Sequence, residues 1–264
     1  MKRFLIYSLS FLVFLTQPIY LCPKRYEIRK FFKFHNTNRG KIGEMKILNK
    51  KALVIYGAGS LGKETLQLVK ILKLSKKYYK VLFIDTSLAG QKIDDFDIFS
   101  LDQFVSLRLE SFDFLVAIAD SKLRRAAAET LNSYSGYPIN LISKQSNFLD
   151  SVTMGHGNIV FPGTTISTDV RIGDFVIINA NSYIGHDCTI GSYVTISPCV
   201  TVCGNVEIQN EVFVGANSSI IQGSQKSKIQ IGENTILGIS TNVLKSVSAS
   251  RTLVGNPARD ITKS

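Results

Sequence analysis

The chain has 264 residues, 45% of them hydrophobic, and a formal net charge of +11, which leaves room for two domains and a terminal extension and excludes a disordered or fibrous protein. Much of the charge lies at the front, where Lys2, Arg3, Lys24, Arg25, Arg29 and Lys30 are among the basic residues opposed only by Glu27 and Glu44. No interleaving of basic and aromatic residues points to nucleic acid, and with only His35, His156 and His186 present no metal cluster is expected.

Residues 1–22 join Met1-Lys2-Arg3 to the apolar run Phe4 to Leu15 and then Gln17-Pro18, the shape of a signal peptide or short anchor. Tyr20-Leu21-Cys22 lacks the small residues of a cleavage site, and the run is short for a spanning helix. Residues 23–44 are basic and aromatic without periodicity and read as a linker. Met45 is an alternative start, because the first strand begins only at Ala52. Residues 1–44 are therefore expected to be either a membrane anchor or sequence upstream of the true start. The body of the protein is expected in the cytoplasm, touching a membrane only in the first case.

Residues 45–145 read as a Rossmann-like half domain. Ala52-Leu-Val-Ile-Tyr56 is a buried-strand run, followed by Gly57-Ala-Gly59-Ser-Leu-Gly62 and a helical stretch from Lys63 to Leu74. In that order the glycines permit a tight turn and bring a phosphate close to a helix N-terminus. A second strand, Val81 to Ile84, ends in Asp85, where a ribose hydroxyl would find its acceptor. A third, Phe112 to Ala119, ends in Asp120, and a helix follows from about Lys122 to Asn132. Three to five strands fit before Leu141, half of a full dinucleotide fold, so a nucleotide-linked substrate is expected rather than NAD.

Residues 146–264 carry a different period. An aliphatic residue or methionine falls at every sixth position, at Met154, Val160, Ile166, Ile172, Ile178, Ile184, Ile190, Ile196, Val202, Ile208, Val214 and Ile220, often followed by glycine. Neither a helix near 3.6 nor a solvated strand near 2 repeats this way; a hexapeptide β-helix does. Each hexapeptide supplies one short strand and one corner, three close a triangular coil, and the inward residues stack into the core. The period breaks across Gln222 to Gln230 and resumes at Ile231, Leu237 and Val243, which predicts a loop extruded between coils. Cys188, Cys199 and Cys203 fall inside the repeat and are expected to be reduced packing residues.

A small Rossmann-like domain feeding into a hexapeptide solenoid resembles the sialic-acid O-acetyltransferase (NeuD-type) family, which includes bacterial acetyltransferases acting on nucleotide-activated amino sugars. The resemblance runs over Val54-Ile-Tyr-Gly-Ala-Gly59, Ala117-Ile-Ala-Asp-Ser-Lys-Leu-Arg-Arg125, the segment from Ile177 to Gly191 that contains Gly185-His-Asp187, and Gly255-Asn-Pro-Ala-Arg259. It implies an α/β half-Rossmann domain followed by a left-handed parallel β-helix, a homotrimer with sites between neighbours, acetyl-CoA as co-substrate and no metal. It also implies that His186 is the general base, with Asp187 fixing its tautomer or raising its basicity, and that Asn179 contacts the acceptor. Gly59, Ser60 and Leu61 match the phosphate-facing turn, and Asp85 with Thr86 match the end of the second strand. Backbone amides near Thr195, Gly204, Ala216 and Ile239 match positions along the acetyl-CoA groove, although Thr195 stands in place of a histidine and Ile239 in place of a glycine. Ser143 likewise replaces a histidine at the entry to the solenoid. The resulting expectation is transfer of acetyl to an amino or hydroxyl group of a nucleotide-linked sugar for surface polysaccharide or glycan synthesis. The alternative is a non-catalytic trimeric scaffold with a nucleotide-binding front domain.

Overall fold

The computed structural model describes residues 51–262. The apolar run 1–22, the linker to 44 and Cys22 lie outside the described residues. Among the described residues no helix is long and apolar enough to cross a membrane.

The front half is a parallel sheet with helices packed on it. Strands β1 (Ala52–Tyr56), β2 (Lys80–Ile84) and β5 (Phe112–Val116) pair in parallel with β1 in the centre, and their near-continuous apolar runs reflect burial on both faces. A short hairpin of β3 (Lys92–Ile93) and β4 (Phe96–Phe99) extends one edge, and β6 (Gly136–Pro138) extends the other, giving the order β3-β4-β2-β1-β5-β6. The sheet thus has six strands rather than three to five. The additional strands at its margins are two to four residues long, too short for a period-two pattern to register. Helices α1 (Ser60–Ile71), α2 (Leu101–Ser106) and α3 (Ser121–Ser133) complete the half.

From Leu141 onward the chain coils into a left-handed parallel β-helix of three sheets. Ile172, Ile178 and Ile184 pair with Ile190, Ile196 and Val202 one coil on, so residues 18 apart stack and the every-sixth set forms one buried column. The first rung is Leu141–Ile142, parallel to Ile159–Val160, so the solenoid starts ahead of the expected boundary at 146. The polar stretch Ser143-Lys-Gln-Ser146 makes the first corner and masks the repeat there. The expected extrusion between Ile220 and Ile231 is a tight hairpin closed by a bridge between Ser224 and Ser227.

Each full corner holds one residue in the left-handed region, including Asp169, Asp187 and Asn205 on one edge and Asn181, Cys199 and Asn217 on the next. Asp, Asn and Ser tolerate positive φ through local hydrogen bonding. Phe175 and Tyr193 occupy the same position on the third edge at φ 54 and 60, where a bulky side chain carries a cost of about 1 kcal/mol or more. Packing compensates: Tyr193 stacks on Phe175 with centroids 5.3 Å apart, and Phe175 on Phe114 of β5 at 6.0 Å. This edge therefore plugs into the α/β half. Among the three cysteines described here, all free, only Cys188 is a buried packing residue; Cys199 is exposed at a corner and Cys203 is half-buried.

Arg124 of α3 fastens the two halves. Its side chain is fully buried and forms no ion pair among the described residues; Nε donates to the Phe175 carbonyl at 2.9 Å, Nη1 to Ile118 and Ala119 at 2.6 and 2.9 Å, and Nη2 to Tyr193 at 2.5 Å. Burial pulls the guanidinium down to about 10, so it stays charged at neutral pH. Its neighbour Arg125 pairs with Glu211 and lies over the Tyr193 ring. Arg124→Met should cost about 3 kcal/mol or more in urea unfolding, because the Phe175, Ile118 and Tyr193 carbonyls lose this donor and the Ala119 carbonyl keeps only the Thr195 hydroxyl. A loss below about 1 kcal/mol would mean that the junction does not depend on this residue.

Candidate functional site

The glycine turn after β1 shows why glycine stands at two of its three glycine positions. A Cβ on Gly57, which has φ +100, would lie 2.6 Å from the Ala117 carbonyl, and one on Gly62 would lie 2.2 Å from the Gly57 carbonyl. Gly59 instead faces open space. Helix α1 begins at this turn with no side-chain cap and no acidic residue in its first turn, which leaves its amides available to an anion. The turn opens on a cleft of about 640 Å³ lined by Gly59, Ser60, Leu61, Thr86, Ile118 and Thr130 among others.

Asp85 also borders this cleft, but not as a free acceptor for a ribose hydroxyl. Its Oδ2 accepts the Ala58 amide at 3.0 Å, and its Oδ1 accepts the Ser87 amide and hydroxyl at 3.1 and 2.7 Å, with the Leu88 amide a further donor. Two carboxylate oxygens offer about four lone-pair sites, and these hydrogen bonds already engage both oxygens. Burial alone would raise this carboxyl, yet the donated hydrogen bonds outweigh it and hold Asp85 below the usual carboxylate range. Its place is as a latch between the glycine turn and the end of β2.

On the solenoid, Gly185-His-Asp-Cys188 forms a corner. His186 Nδ1 lies 2.7 Å from Asp187 Oδ2, so the carboxylate favours the tautomer with the proton on Nδ1 and leaves Nε2 as the acceptor. Both side chains remain about two-fifths exposed. The ring lies flat over Gly204 of the next coil, where a Cβ would be 2.4 Å from Nε2. Beneath the corner the buried Cys188 thiol donates to the Cys203 carbonyl at 3.1 Å and is pushed up to about 11, chiefly by desolvation, so it stays protonated.

The remaining expected positions divide between the edges of the prism. Gly204 shares the edge of His186. Ala216 and Ile239 stack on the neighbouring edge, with Ser240 donating to the Ala216 carbonyl; the Ile239 side chain stands out into solvent at 74% exposure. The amides of Gly204, Ala216 and Ile239 donate to no carbonyl among the described residues. Asn179 lies on that second edge too, in a groove of about 300 Å³ against α1 with Glu64, Gln67 and Ile71. Thr195 departs from the expectation of an available corner amide. It sits on a rung, its amide donates to Val212 at 2.9 Å, and its buried hydroxyl donates to the Ala119 carbonyl at 2.8 Å. One chain therefore brings His186, Asp187 and Gly204 together but leaves Asn179, Ala216 and Ile239 on another edge. Sequence reasoning missed Lys228, whose Nζ donates to the Asp187 carbonyl at 2.9 Å; the break in the repeat was the available signal. Among the described residues no group of His, Cys, Asp and Glu is placed to hold a metal ion.

Comparison with known proteins matches both halves. Residues 52–131 match the PglD N-terminal domain, and residues 169–204 match the bacterial transferase hexapeptide family of six repeats. The chain is 36% identical over 212 residues to the GDP-perosamine N-acetyltransferase of Escherichia coli O157:H7, covering 80% of this chain and 96% of that protein. The solved structure of WeeI from Acinetobacter baumannii AYE superposes with a TM-score of 0.76 at 32% identity, covering 80% of this chain and 100% of that one. PerB from Caulobacter crescentus, solved in complex with CoA and GDP-perosamine, shares the fold with a TM-score of 0.71 at 24% identity, over 80% of this chain and 97% of that one.

The contact between Gly204 and the imidazole gives a direct test. In Gly204→Ala the clash falls on the far end of a flexible side chain, so the melting temperature should move by only a few degrees. The ring must nonetheless swing off its place, and a misplacement of about 1 Å is worth about 10²-fold in turnover. Steady-state kinetics beside a thermal melt would separate the two, and full activity in this variant would remove the stacked ring from the site.

Proposed function

The chain belongs to the family of NeuD/PglD-type hexapeptide-repeat acetyltransferases, and from that premise we propose that it moves the acetyl group of acetyl-CoA to the amino group of a nucleotide-linked sugar, with His186 as general base. That it is an acetyltransferase follows from 36% identity to an N-acetyltransferase along nearly that protein's whole length, which sets the non-catalytic scaffold aside. The relative's name supports a GDP-linked amino sugar as the first acceptor to test, and surface polysaccharide or glycan synthesis as the use.

The observation that carries the mechanism is the imidazole held by Asp187 at 2.7 Å with Nε2 free above Gly204. Nε2 takes a proton from the sugar amine as its nitrogen attacks the thioester carbonyl. The C–N bond forms, the carbonyl electrons collect on oxygen, and collapse breaks the C–S bond; the imidazolium then returns the proton to the departing thiolate. Asp187 stabilises the positive ring in between. The unpartnered amides of Gly204, Ala216 and Ile239 support a pantetheine path along the edges, and an amide there would hold the developing oxyanion. In the α/β half, the uncapped N-terminus of α1 at Gly59, Ser60 and Leu61 suits the pyrophosphate, with Thr86 on the rim of the same cleft. Asn179 is assigned to the acceptor sugar.

The division of these residues between two prism edges supports a homotrimer. Tyr183, Ile221, Ile239 and Leu244 expose apolar side chains on the face between those edges and at its margins. Threefold packing would cover them and set the His186 edge of one copy against the Ala216 edge of its neighbour.

Incubation with acetyl-CoA and a panel of GDP-, UDP- and CMP-linked amino sugars, followed by thiol release and product mass, should give one acetylated product. His186→Ala should lower kcat by about 10² to 10⁴; undiminished turnover would sink the assignment of the base. Sedimentation equilibrium should return three times the chain mass, and a monomer that retains full activity would refute a site shared between copies.

A further inference from the structure

We infer that Lys228 is a positioning residue for the His186–Asp187 pair, delivered by the insertion that interrupts the six-residue repeat; the inference rests on the reading of His186 as the base. Ile220 and Ile231 stand eleven residues apart instead of six, and the extra residues leave the prism at the edge that carries His186.

The insertion is rigidly tied down. Ser224 and Ser227 exchange backbone hydrogen bonds at 2.9 and 3.1 Å, and the Ser227 amide also donates to Ser224 Oγ at 3.1 Å. At its base the Gly223 amide donates to the Gly204 carbonyl at 3.0 Å and the Ile229 amide to the Asn205 carbonyl at 3.1 Å. A Cβ on Gly223 would lie 2.3 Å from that Asn205 oxygen, so the close approach requires glycine. Both arms of the hairpin are thus fastened to the coil on which the His186 ring rests.

From the returning arm, half-buried Lys228 reaches back past that coil and donates to the Asp187 carbonyl at 2.9 Å. Two successive carbonyls along the edge, those of Asn205 and Asp187, therefore take their donors from the same hairpin. Asp187 holds a left-handed backbone at φ 58, and the direction of its peptide sets where its carboxylate stands. The ammonium takes the carbonyl, whereas the carboxylate's side-chain partner among the described residues is the His186 imidazole. Fixing the peptide this way keeps Asp187 Oδ2 on Nδ1 and Nε2 in place. A flexible lysine in solution would compete for the carboxylate; one anchored by a closed hairpin does not.

The test compares Lys228→Met, which keeps the stem but removes the donor, with Lys228→Arg, which keeps a cation and donors, each alone and in the His186→Ala background. Lys228→Met should lower kcat about 10-fold, with KM for acetyl-CoA and sugar changed less than about 3-fold and the melting temperature within about 3 °C of the parent. Lys228→Arg should recover most of the loss. Because the effect is transmitted through the imidazole, Lys228→Met should change nothing further once His186 is alanine, which is the coupling a double-mutant cycle reads. Full kcat in Lys228→Met, or an equal further loss in the His186→Ala background, overturns the inference. If His186→Ala is itself fully active, the reading of the base falls and this inference with it. An inactive His186→Ala beside a fully active Lys228→Met removes only the role of Lys228.

Discussion

The structure depends on the stacking of inward aliphatic side chains at an interval of one coil. A prism that narrow has no second layer to hide a polar group, so each rung delivers an apolar side chain inward and the regular corners return the backbone by a left-handed residue. The rungs of each coil pair with those of the next, as when Ile177 donates to Val194 and Gly185 to Val202. Corner residues are thereby held as firmly as strand residues. A histidine placed at a corner gains a fixed backbone and a half-exposed side chain together, which is the combination a general base on a surface groove requires.

The same rigidity explains how the two halves communicate. Corners on one edge carry Phe175 and Tyr193, which stack into the α/β core, and Arg124 collects carbonyls from both corners and from Ile118 and Ala119. Ile118 also lines the cleft beneath the glycine turn. The floor of the nucleotide-type cleft is therefore tied to the solenoid by hydrogen bonds rather than joined by a linker alone. Thr195 belongs to this junction: its hydroxyl reaches Ala119 from a rung that faces the α/β half.

Much of the site was legible because its motifs are local. The Gly57-x-Gly59-x-x-Gly62 turn, the terminal carboxylate of β2 and the Gly185-His-Asp187 corner are each specified within a few residues. What each group does there was less legible. Asp85 has the spacing of a ribose acceptor, yet its oxygens already accept from Ala58 of the glycine turn and from Ser87 just after β2. Thr195 has a position expected of a groove residue, yet its rung faces the junction. Short strands such as Lys92–Ile93 and Gly136–Pro138 carry no period to read.

By itself the sequence determined the architecture, because a six-residue period admits one closed arrangement of inward side chains, and it singled out His186 as the candidate base, because one histidine stands in the corner motif. Only the tertiary structure decided which groups are already engaged and which edge each occupies. Hydrogen-bond partners come from residues 41 to 76 positions away, as with Arg124, Thr195 and Lys228, and side-chain capacity is used up by proximity in space. A periodic pattern encodes direction, inward or outward, but not what stands opposite.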